Sequence, residues 1–280
     1  MTSRLVRVGE VDVGVERRGV ATPGRLPMLL LHGGGPGCHA ASDLDALAER
    51  LDDRELILVD LPGYGLTPLA EGIGPRFTFH AGLLDGLLGL IGVERVDVVA
   101  QSLGGSAALR LAATTSRVRR IVLIGSQPVP APPGTTSRPE LGSGARTSYY
   151  RSGTGTTPES LRSAVLALEW YDASLMPDAL VAARHAASIT EHALRAAADP
   201  SLLGDSEDLS AVLPEVVAPT LVIWGERDPF ADIAYARAWA ATLPHGRVEV
   251  VPQTAHHPQS ERPGLVEALV RSHLQPEELP

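Results

Sequence analysis

Short apolar runs alternate with amphipathic segments along most of this chain. The apolar runs, several of them rich in valine and isoleucine, predict buried strands at Met28–His32, Leu56–Asp60, Val96–Ala100, Arg119–Ile124, Thr220–Gly225 and Arg247–Val251. Helical spacing separates most of these runs, at Ser42–Leu51, Ala81–Ile91, Gly104–Thr114, Ile233–Leu243 and Pro263–Leu274. Ahead of them, Arg4–Gly9 and Asp12–Arg17 alternate like an antiparallel hairpin. This order predicts an α/β fold, a mostly parallel central sheet flanked by helices, with functional loops at the carboxyl ends of the strands.

The alternation breaks between Gln127 and about Pro214. Residues 128–157 are rich in Pro, Gly, Ser and Thr, which is typical of a linker with a partly disordered loop. Three short helical patterns follow, near Pro158–Leu168, Pro177–Ala186 and Ile189–Ala198. They favour a helical lid over the edge of the sheet at which the parallel strands end. We therefore predict a core of residues 1–127 and 211–280 and a lid (cap) insertion of residues 128–210.

A serine follows directly on one of the predicted strands. The apolar run ending at Ala100 delivers Ser102 onto a turn, and a helical pattern opens at Gly104. Small residues two before and two after a serine let strand and helix backbones approach, as in a nucleophile elbow. The alternative is that Ser102 only caps the helix. Taken alone, the elbow pattern is weak.

An acid and a histidine follow the serine along the chain, and their order strengthens the assignment of a nucleophile elbow. Asp228 lies in the loop after the penultimate predicted strand, and His256 lies in the loop after the last one. A serine hydroxyl needs an adjacent base, itself oriented by a third group, to act as a nucleophile at neutral pH. The order Ser, Asp, His after strand ends is that of the α/β-hydrolase triad. The sequence therefore predicts Ser102 as nucleophile, His256 as base and Asp228 as orienting acid.

Other assignments stay open for two of these roles. His257 is adjacent to His256 and is the second candidate base. Asp228 precedes Pro229, so it could serve turn formation alone, with Glu226 or Asp232 as fallback acids.

A glycine-rich loop, residues 32–37, follows the strand that begins at Met28. Glycines let backbone amides approach a ligand without interference from Cβ. An amide of this loop, together with the amide of Leu103, could donate to the oxyanion that forms when a carbonyl is attacked. A phosphate-binding loop is excluded, because the lysine of a P-loop and a G-x-G-x-x-G before a helix are both missing. The loop therefore predicts an oxyanion hole.

Composition narrows the class of protein. Hydrophobic residues make up 44% of the 280, enough for a sizeable core, but no apolar run approaches the roughly 18 residues of a membrane span. The 33 acidic residues outnumber the 24 basic ones, which argues against nucleic acid as a partner. The lone Cys38 offers neither a disulfide nor a metal-ligand pair. We expect a cytoplasmic protein that acts on a small molecule, with no membrane partner, no metal and no cofactor.

The motifs together resemble the α/β-hydrolase superfamily over the whole chain. Within it, the chain is most similar to the meta-cleavage product hydrolases, which hydrolyse carbon–carbon bonds of vinylogous diketones. The resemblance rests on four stretches: residues 31–37, residues 102–105, residues 224–228 and the lid segment 171–184. It implies that Gly34 and Leu103 form the oxyanion hole, with Gly35 beside the substrate. It also implies that Arg184 contacts the polar end of the substrate.

Three positions depart from that family. Gln101 and Asp43 stand where the family usually has asparagine, and His257 stands where it typically has tryptophan. In the family these side chains line the pocket for an acidic dienol, so Gln101, Asp43 and His257 are candidate substrate contacts. An aspartate would repel a carboxylate unless it is protonated or paired.

The sequence supports three functional hypotheses. The first is a serine hydrolase that cleaves a C–C bond next to a ketone in a meta-cleavage-product-like or polyketide-like substrate. The second is a carboxylesterase, lactonase or thioesterase with the same triad. The third, from a different class, is a binding scaffold without catalysis. Relatives of this kind are often oligomers, so a homodimer is also expected.

Overall fold

Eight strands form the central sheet within residues 3–151 and 155–275, which the computed structural model describes. In chain order they are β1 Arg4–Val8, β2 Val11–Arg18, β3 Met28–Leu31, β4 Leu56–Val59, β5 Val96–Gln101, β6 Val118–Ile124, β7 Thr220–Gly225 and β8 Gly246–Val251. Their order across the sheet is β1-β2-β4-β3-β5-β6-β7-β8. β2 pairs antiparallel with both β1 and β4, and all other pairs are parallel. The α/β fold and its hairpin are confirmed.

The parallel register aligns the strand ends. Leu31 pairs with both Val59 and Ala100, and Ile124 pairs with Gln101 and Ile223. The chain therefore leaves β3, β5, β7 and β8 at one edge of the sheet. This alignment gathers loops that are far apart in sequence.

Helices cover both faces because the buried strand residues alternate between two apolar clusters. Leu29 and Leu31 face one cluster, while Met28 and Leu30 face the other. The core helices are α1 Ala40–Ala48, α2 Arg76–Leu90, α3 Leu103–Thr114, α9 Ile233–Ala240, α10 Pro258–Glu261 and α11 Pro263–His273. Helix α2 begins five residues before the predicted Ala81, and the aromatic residues of its first turn, Phe77 and Phe79, pack in the same apolar cluster as Leu29 and Leu31.

The chain between β6 and β7 is mostly helical. Its helices are α4 Pro139–Arg151, α5 Pro158–Leu161, a π-turn Arg162–Leu166, α6 Ala167–Glu169, α7 Asp178–Ser188 and α8 Glu191–Ala198, with 3₁₀ turns at Ala173–Leu175, Pro200–Leu203 and Leu213–Glu215. This segment has an apolar cluster of its own, which includes Tyr149, Leu166 and Trp170.

Helix α4 occupies much of residues 128–157, where the sequence leaves a partly disordered loop open as an alternative. It forms despite its Gly and Ser content because Tyr149 is fully buried in the lid cluster. Residues 152–154 of that stretch, like residues 1–2 and 276–280, lie outside the described chain. The division at residues 127/128 and 210/211 remains our proposal for the domain boundaries.

None of the helices within residues 3–151 and 155–275 has the length and apolar character that crossing a bilayer requires.

Candidate active site

Ser102 occupies a strained turn between β5 and α3. Its φ of 46° and ψ of −114° lie in a region that side chains other than glycine rarely adopt. Hydrogen bonds hold the turn: the Ser102 amide donates to Ile124 O at 2.8 Å and the Gly104 amide donates to His32 O at 3.0 Å. A Cβ on Gly104 would lie 2.7 Å from that same carbonyl oxygen, so the position requires glycine. The Ser102 side chain makes no capping hydrogen bond, which argues against a purely structural role.

Asp228 and His256 meet at the same edge of the sheet. Nδ1 of His256 lies 2.8 Å from Oδ2 of Asp228, and the Asp228 side chain is fully buried. The other carboxylate oxygen accepts the Phe230 amide at 2.9 Å, so the acid is held on both sides. Since Asp228 engages Nδ1, the Nε2 atom is the one left for a second proton partner. Ser102 and His256 line the same cavity.

The His256 loop packs tightly on β7. A Cβ on Gly225 would collide with the backbone oxygen of Ala255, so only glycine lets this loop cross the end of the strand. The Phe230 ring meets the His256 ring edge to face at a centroid distance of 4.6 Å. These contacts fix the imidazole in one orientation.

The surroundings of His256 raise its pKa above the ordinary value. Burial alone lowers the pKa of His256, because it disfavours the imidazolium. The charge and hydrogen bond of Asp228, with smaller contributions from Glu169 and Asp43, more than offset that burial. The site is therefore suited to stabilise an imidazolium that forms during a reaction.

The fallback acids have other partners. Glu226 is exposed and accepts the Gln253 amide at 3.1 Å. Asp232 caps α9 by accepting the Tyr235 amide at 2.7 Å. Within the described residues, Asp228 is thus the carboxylate that bonds His256.

Gly34 and Leu103 lie close together beside Ser102. Gly34 and Leu103 both line the cavity, and a Cβ on Gly34 would lie 3.2 Å from that of Leu103. Across residues 3–151 and 155–275 neither amide donates a hydrogen bond. His32 braces the glycine loop from behind, because its Nε2 accepts the Leu61 amide at 2.9 Å. Unpaired amides held in this way are the donors that an oxyanion requires.

The cavity has a volume of about 370 Å³ and lies between the sheet edge and the lid. Core residues on its wall include Gly35, Gln101 and Phe77. The lid contributes residues of α4, the π-turn and α6. In the described part of the chain, no group of three His, Cys, Asp or Glu side chains is arranged to hold a metal ion.

The sequence analysis missed Glu169, a buried acid on the cavity wall. Its Oε2 accepts from Arg184 Nη1 at 2.6 Å and lies 3.0 Å from His257 Nε2. Burial raises the pKa of Glu169, but Arg184 and His257 together bring it far below its usual range. An isolated acid after the apolar residues 164–168 was the one sequence feature that could have revealed it.

The structure places Arg184 and Asp43 behind the glycine loop and not on the cavity wall. Arg184 is 1% exposed and absent from the cavity wall; its Nε and Nη2 donate to Pro36 O at 3.1 and 3.0 Å. Asp43 is also off the wall and accepts the Gly33 amide at 2.8 Å. Its pKa is lowered, because the positive groups around it, Arg184 foremost, outweigh burial. Both residues brace the glycine loop from behind.

The other candidate contacts do lie on the wall. Gln101 packs so close to Gly33 that a Cβ there would clash, and its Nε2 donates to His256 O at 3.3 Å. His257 lies between Glu169 and Gln259, with its Nδ1 3.1 Å from Gln259 Nε2. It is therefore bonded on both ring nitrogens and does not contact Asp228.

The sequence of this chain matches a family of known proteins. The sequence model of the alpha/beta hydrolase fold matches residues 27–263. A 2-hydroxy-6-oxononadienedioate/2-hydroxy-6-oxononatrienedioate hydrolase of Paraburkholderia phymatum is 32% identical over 85% of this chain and 83% of its own length. A hydrolase of the same name from Cupriavidus pinatubonensis is 28% identical over 93% of this chain and 91% of its own.

A solved structure shares the fold. The 2-hydroxy-6-oxo-6-phenylhexa-2,4-dienoate hydrolase of Rhodococcus sp. strain RHA1 superposes with a TM-score of 0.80 at 22% identity. The match covers 97% of this chain and 98% of that one.

Proposed function

The chain belongs to the alpha/beta hydrolase fold family, and from this premise we propose that it is a serine hydrolase that cleaves a C–C bond next to a ketone. The observation that supports the proposal is that His256, bonded to Asp228, lines the same cavity as Ser102 and as two amides that have no partner among the described residues. The relatives, which are named as hydrolases of 2-hydroxy-6-oxo-dienedioates, support the choice of bond. The substrate class we propose is a vinylogous 1,5-diketone in its enol acid form.

The reaction needs one proton relay. After the substrate ketonises, Ser102 Oγ attacks the ketone carbon while His256 Nε2 takes the hydroxyl proton. The developing oxyanion accepts hydrogen bonds from the amides of Gly34 and Leu103, and Asp228 stabilises the imidazolium.

The C–C bond then breaks. Its electron pair passes to the leaving carbon and is delocalised through the adjacent C=C bond onto the remote ketone oxygen as a dienolate, and His256 returns the proton to that dienolate. Water, activated by His256, hydrolyses the acyl-serine and releases a carboxylic acid.

Labelling tests the nucleophile. A fluorophosphonate probe should label the protein, and Ser102→Ala should abolish labelling and lower kcat about 10⁴- to 10⁶-fold. Ser116→Ala, an exposed serine beyond the end of α3, is the matched control and should label fully. Failure of the folded protein to label would favour the binding-scaffold hypothesis.

Paired substrates test the reaction type. Turnover of a 2-hydroxy-6-oxo-dienoate should exceed that of p-nitrophenyl esters of similar size. Rapid ester hydrolysis with an inert dienoate would overturn C–C cleavage and leave an esterase.

A further inference from the structure

Two arginines on the cavity wall have no acidic partner in the described part of the chain. Arg76 and Arg146 line the same cavity as Ser102. Within residues 3–151 and 155–275, no carboxylate oxygen lies within 4.0 Å of either guanidinium. This is unusual in a chain with a net charge of −9, where acids are plentiful.

Backbone carbonyls hold both guanidiniums in place. Arg76, at the start of α2, donates from Nε to Leu203 O at 2.7 Å and from Nη2 to Gly204 O at 2.7 Å. Arg146, on α4, donates from Nη2 to Ala196 O at 2.6 Å. Its Nε is buried without a hydrogen-bond partner. Neutral acceptors orient these side chains without cancelling their charge, and donors remain free on each.

Both arginines reach the same small cavity beside Tyr64: Arg76 bonds the carbonyl of Leu203, and Leu203 lines that cavity together with Arg146 and Tyr64. Burial raises the pKa of Tyr64, and the charges of Arg146 and Arg76 offset part of that rise. The Tyr64 hydroxyl in turn donates to Gly34 O at 3.1 Å. Both guanidiniums therefore reach electrostatically to the neighbourhood of the proposed oxyanion loop.

The remaining charges near the cavity are already paired. Glu169 is bonded by Arg184 and His257, and Arg184 is off the wall. The uncompensated charge on the wall is therefore positive. Arginine presents a planar fork that matches the two oxygens of a carboxylate.

We propose that Arg76 and Arg146 form a carboxylate subsite that holds the anionic end of the substrate while its ketone lies at Ser102. The assignment of a ketone rests on the proposed function. The subsite takes over the anion-binding role that the family resemblance implied for Arg184.

Binding to an inactive protein tests the subsite without turnover. In the Ser102→Ala background, the affinities for 2-hydroxy-6-oxohepta-2,4-dienoate and for its neutral methyl ester are measured by calorimetry. R76Q and R146Q should each raise the Kd of the acid about 10- to 100-fold. The Kd of the methyl ester should change less than about 3-fold. The matched control is R195Q, an exposed arginine of lid helix α8, which should change neither.

Equal weakening of acid and ester, or no weakening of either, would show that the pair is structural and overturn the subsite. The subsite is also overturned if the inactive protein binds neither compound. R76K and R146K keep the charge and should retain more of the preference for the acid than the Gln variants. Equal preference in the Lys and Gln variants would likewise count against a carboxylate subsite.

Failure of the proposed C–C cleavage can be distinguished from failure of the subsite. A protein that binds the acid through Arg76 and Arg146, but does not cleave it when Ser102 is present, keeps the subsite and loses C–C cleavage.

Discussion

His256 and His257 are neighbours in one loop, and each hydrogen-bonds a buried carboxylate, yet the two carboxylates come from different parts of the molecule. Asp228 belongs to the core loop after β7 and bonds His256 at 2.8 Å. Glu169 belongs to the lid and bonds His257 at 3.0 Å. The two rings stand nearly perpendicular, with centroids 5.4 Å apart.

The two carboxylates differ in their other hydrogen-bond partners. Apart from His256, Asp228 bonds a backbone amide, so its full negative charge acts on the imidazole. Glu169 shares its charge with the Arg184 guanidinium, which also bonds Pro36 of the glycine loop. The first pair is suited to proton transfer, and the second ties the lid to the core. Similar groups thus acquire different roles from what surrounds them.

The largest expected effect is the loss of kcat on removing the charge of Asp228, which tests its role in proton transfer. Asp228→Asn should lower kcat about 10⁴-fold, equivalent to ~5 kcal/mol in the barrier, because the amide no longer holds His256 in the required tautomer. Steady-state kinetics on the preferred substrate measures the loss. Glu226→Gln is the matched change on the same loop, where an exposed acid becomes an amide, and should leave kcat within about 2-fold. Comparable losses in both variants would remove Asp228 from the relay.

The second effect concerns stability. Arg184→Met should lower the free energy of unfolding by about 3–5 kcal/mol, because it leaves the buried Glu169 without its cationic partner. Urea denaturation measures the change. The double variant R184M/E169Q should lose less than the sum of the two single variants, since neither charge then remains buried alone.

An exposed lid ion pair is the control for that effect. Arg162 pairs with Asp178, whose side chain is almost fully exposed, so Arg162→Met should cost no more than about 1 kcal/mol. If R184M were as mild as R162M, the Glu169 pair would not be the tie between lid and core.

The same comparison explains what the sequence could predict. Ser102, Asp228 and His256 each follow a strand, and parallel strands bring their carboxyl ends together whatever the loops do. A local pattern and the chain order therefore suffice to predict that they meet. The structure confirms the predicted sheet, and it places these three residues at one edge.

No comparable rule predicts from the sequence where the lid residues lie. Glu169 meets His257, 88 residues away, and Arg184 meets Pro36, 148 residues away, only after the lid has docked. No periodicity encodes the docking angle of the lid. For the same reason Arg184 was expected at the substrate only through the family resemblance, and nothing in the sequence singled out Arg76 and Arg146. Helix α4 was overlooked because its glycines and serines are weak helix formers, and the burial of Tyr149 compensates for them.

The smallest expected effect is on the pH dependence of the relay. A general base must be neutral, so kcat/KM should fall as the pH drops through the pKa of His256, and this acidic limb should lie above the ordinary value of 6.5. Asp228 is the leading group that raises this pKa, so Asp228→Asn should move the limb to lower pH. Glu169 contributes less, so Glu169→Gln should move it in the same direction by a smaller amount.

NMR titration of His256 in the folded variants measures each shift independently of the lost activity. A displacement of one pH unit corresponds to about 1.4 kcal/mol. A limb that moved to higher pH in either variant would contradict the assignment, because removing a nearby negative charge disfavours the imidazolium. Equal displacement in the two variants would show that both carboxylates act on His256 alike, and the distinction between a proton-relay pair, His256 with Asp228, and a pair that holds the lid to the core, His257 with Glu169, would no longer hold.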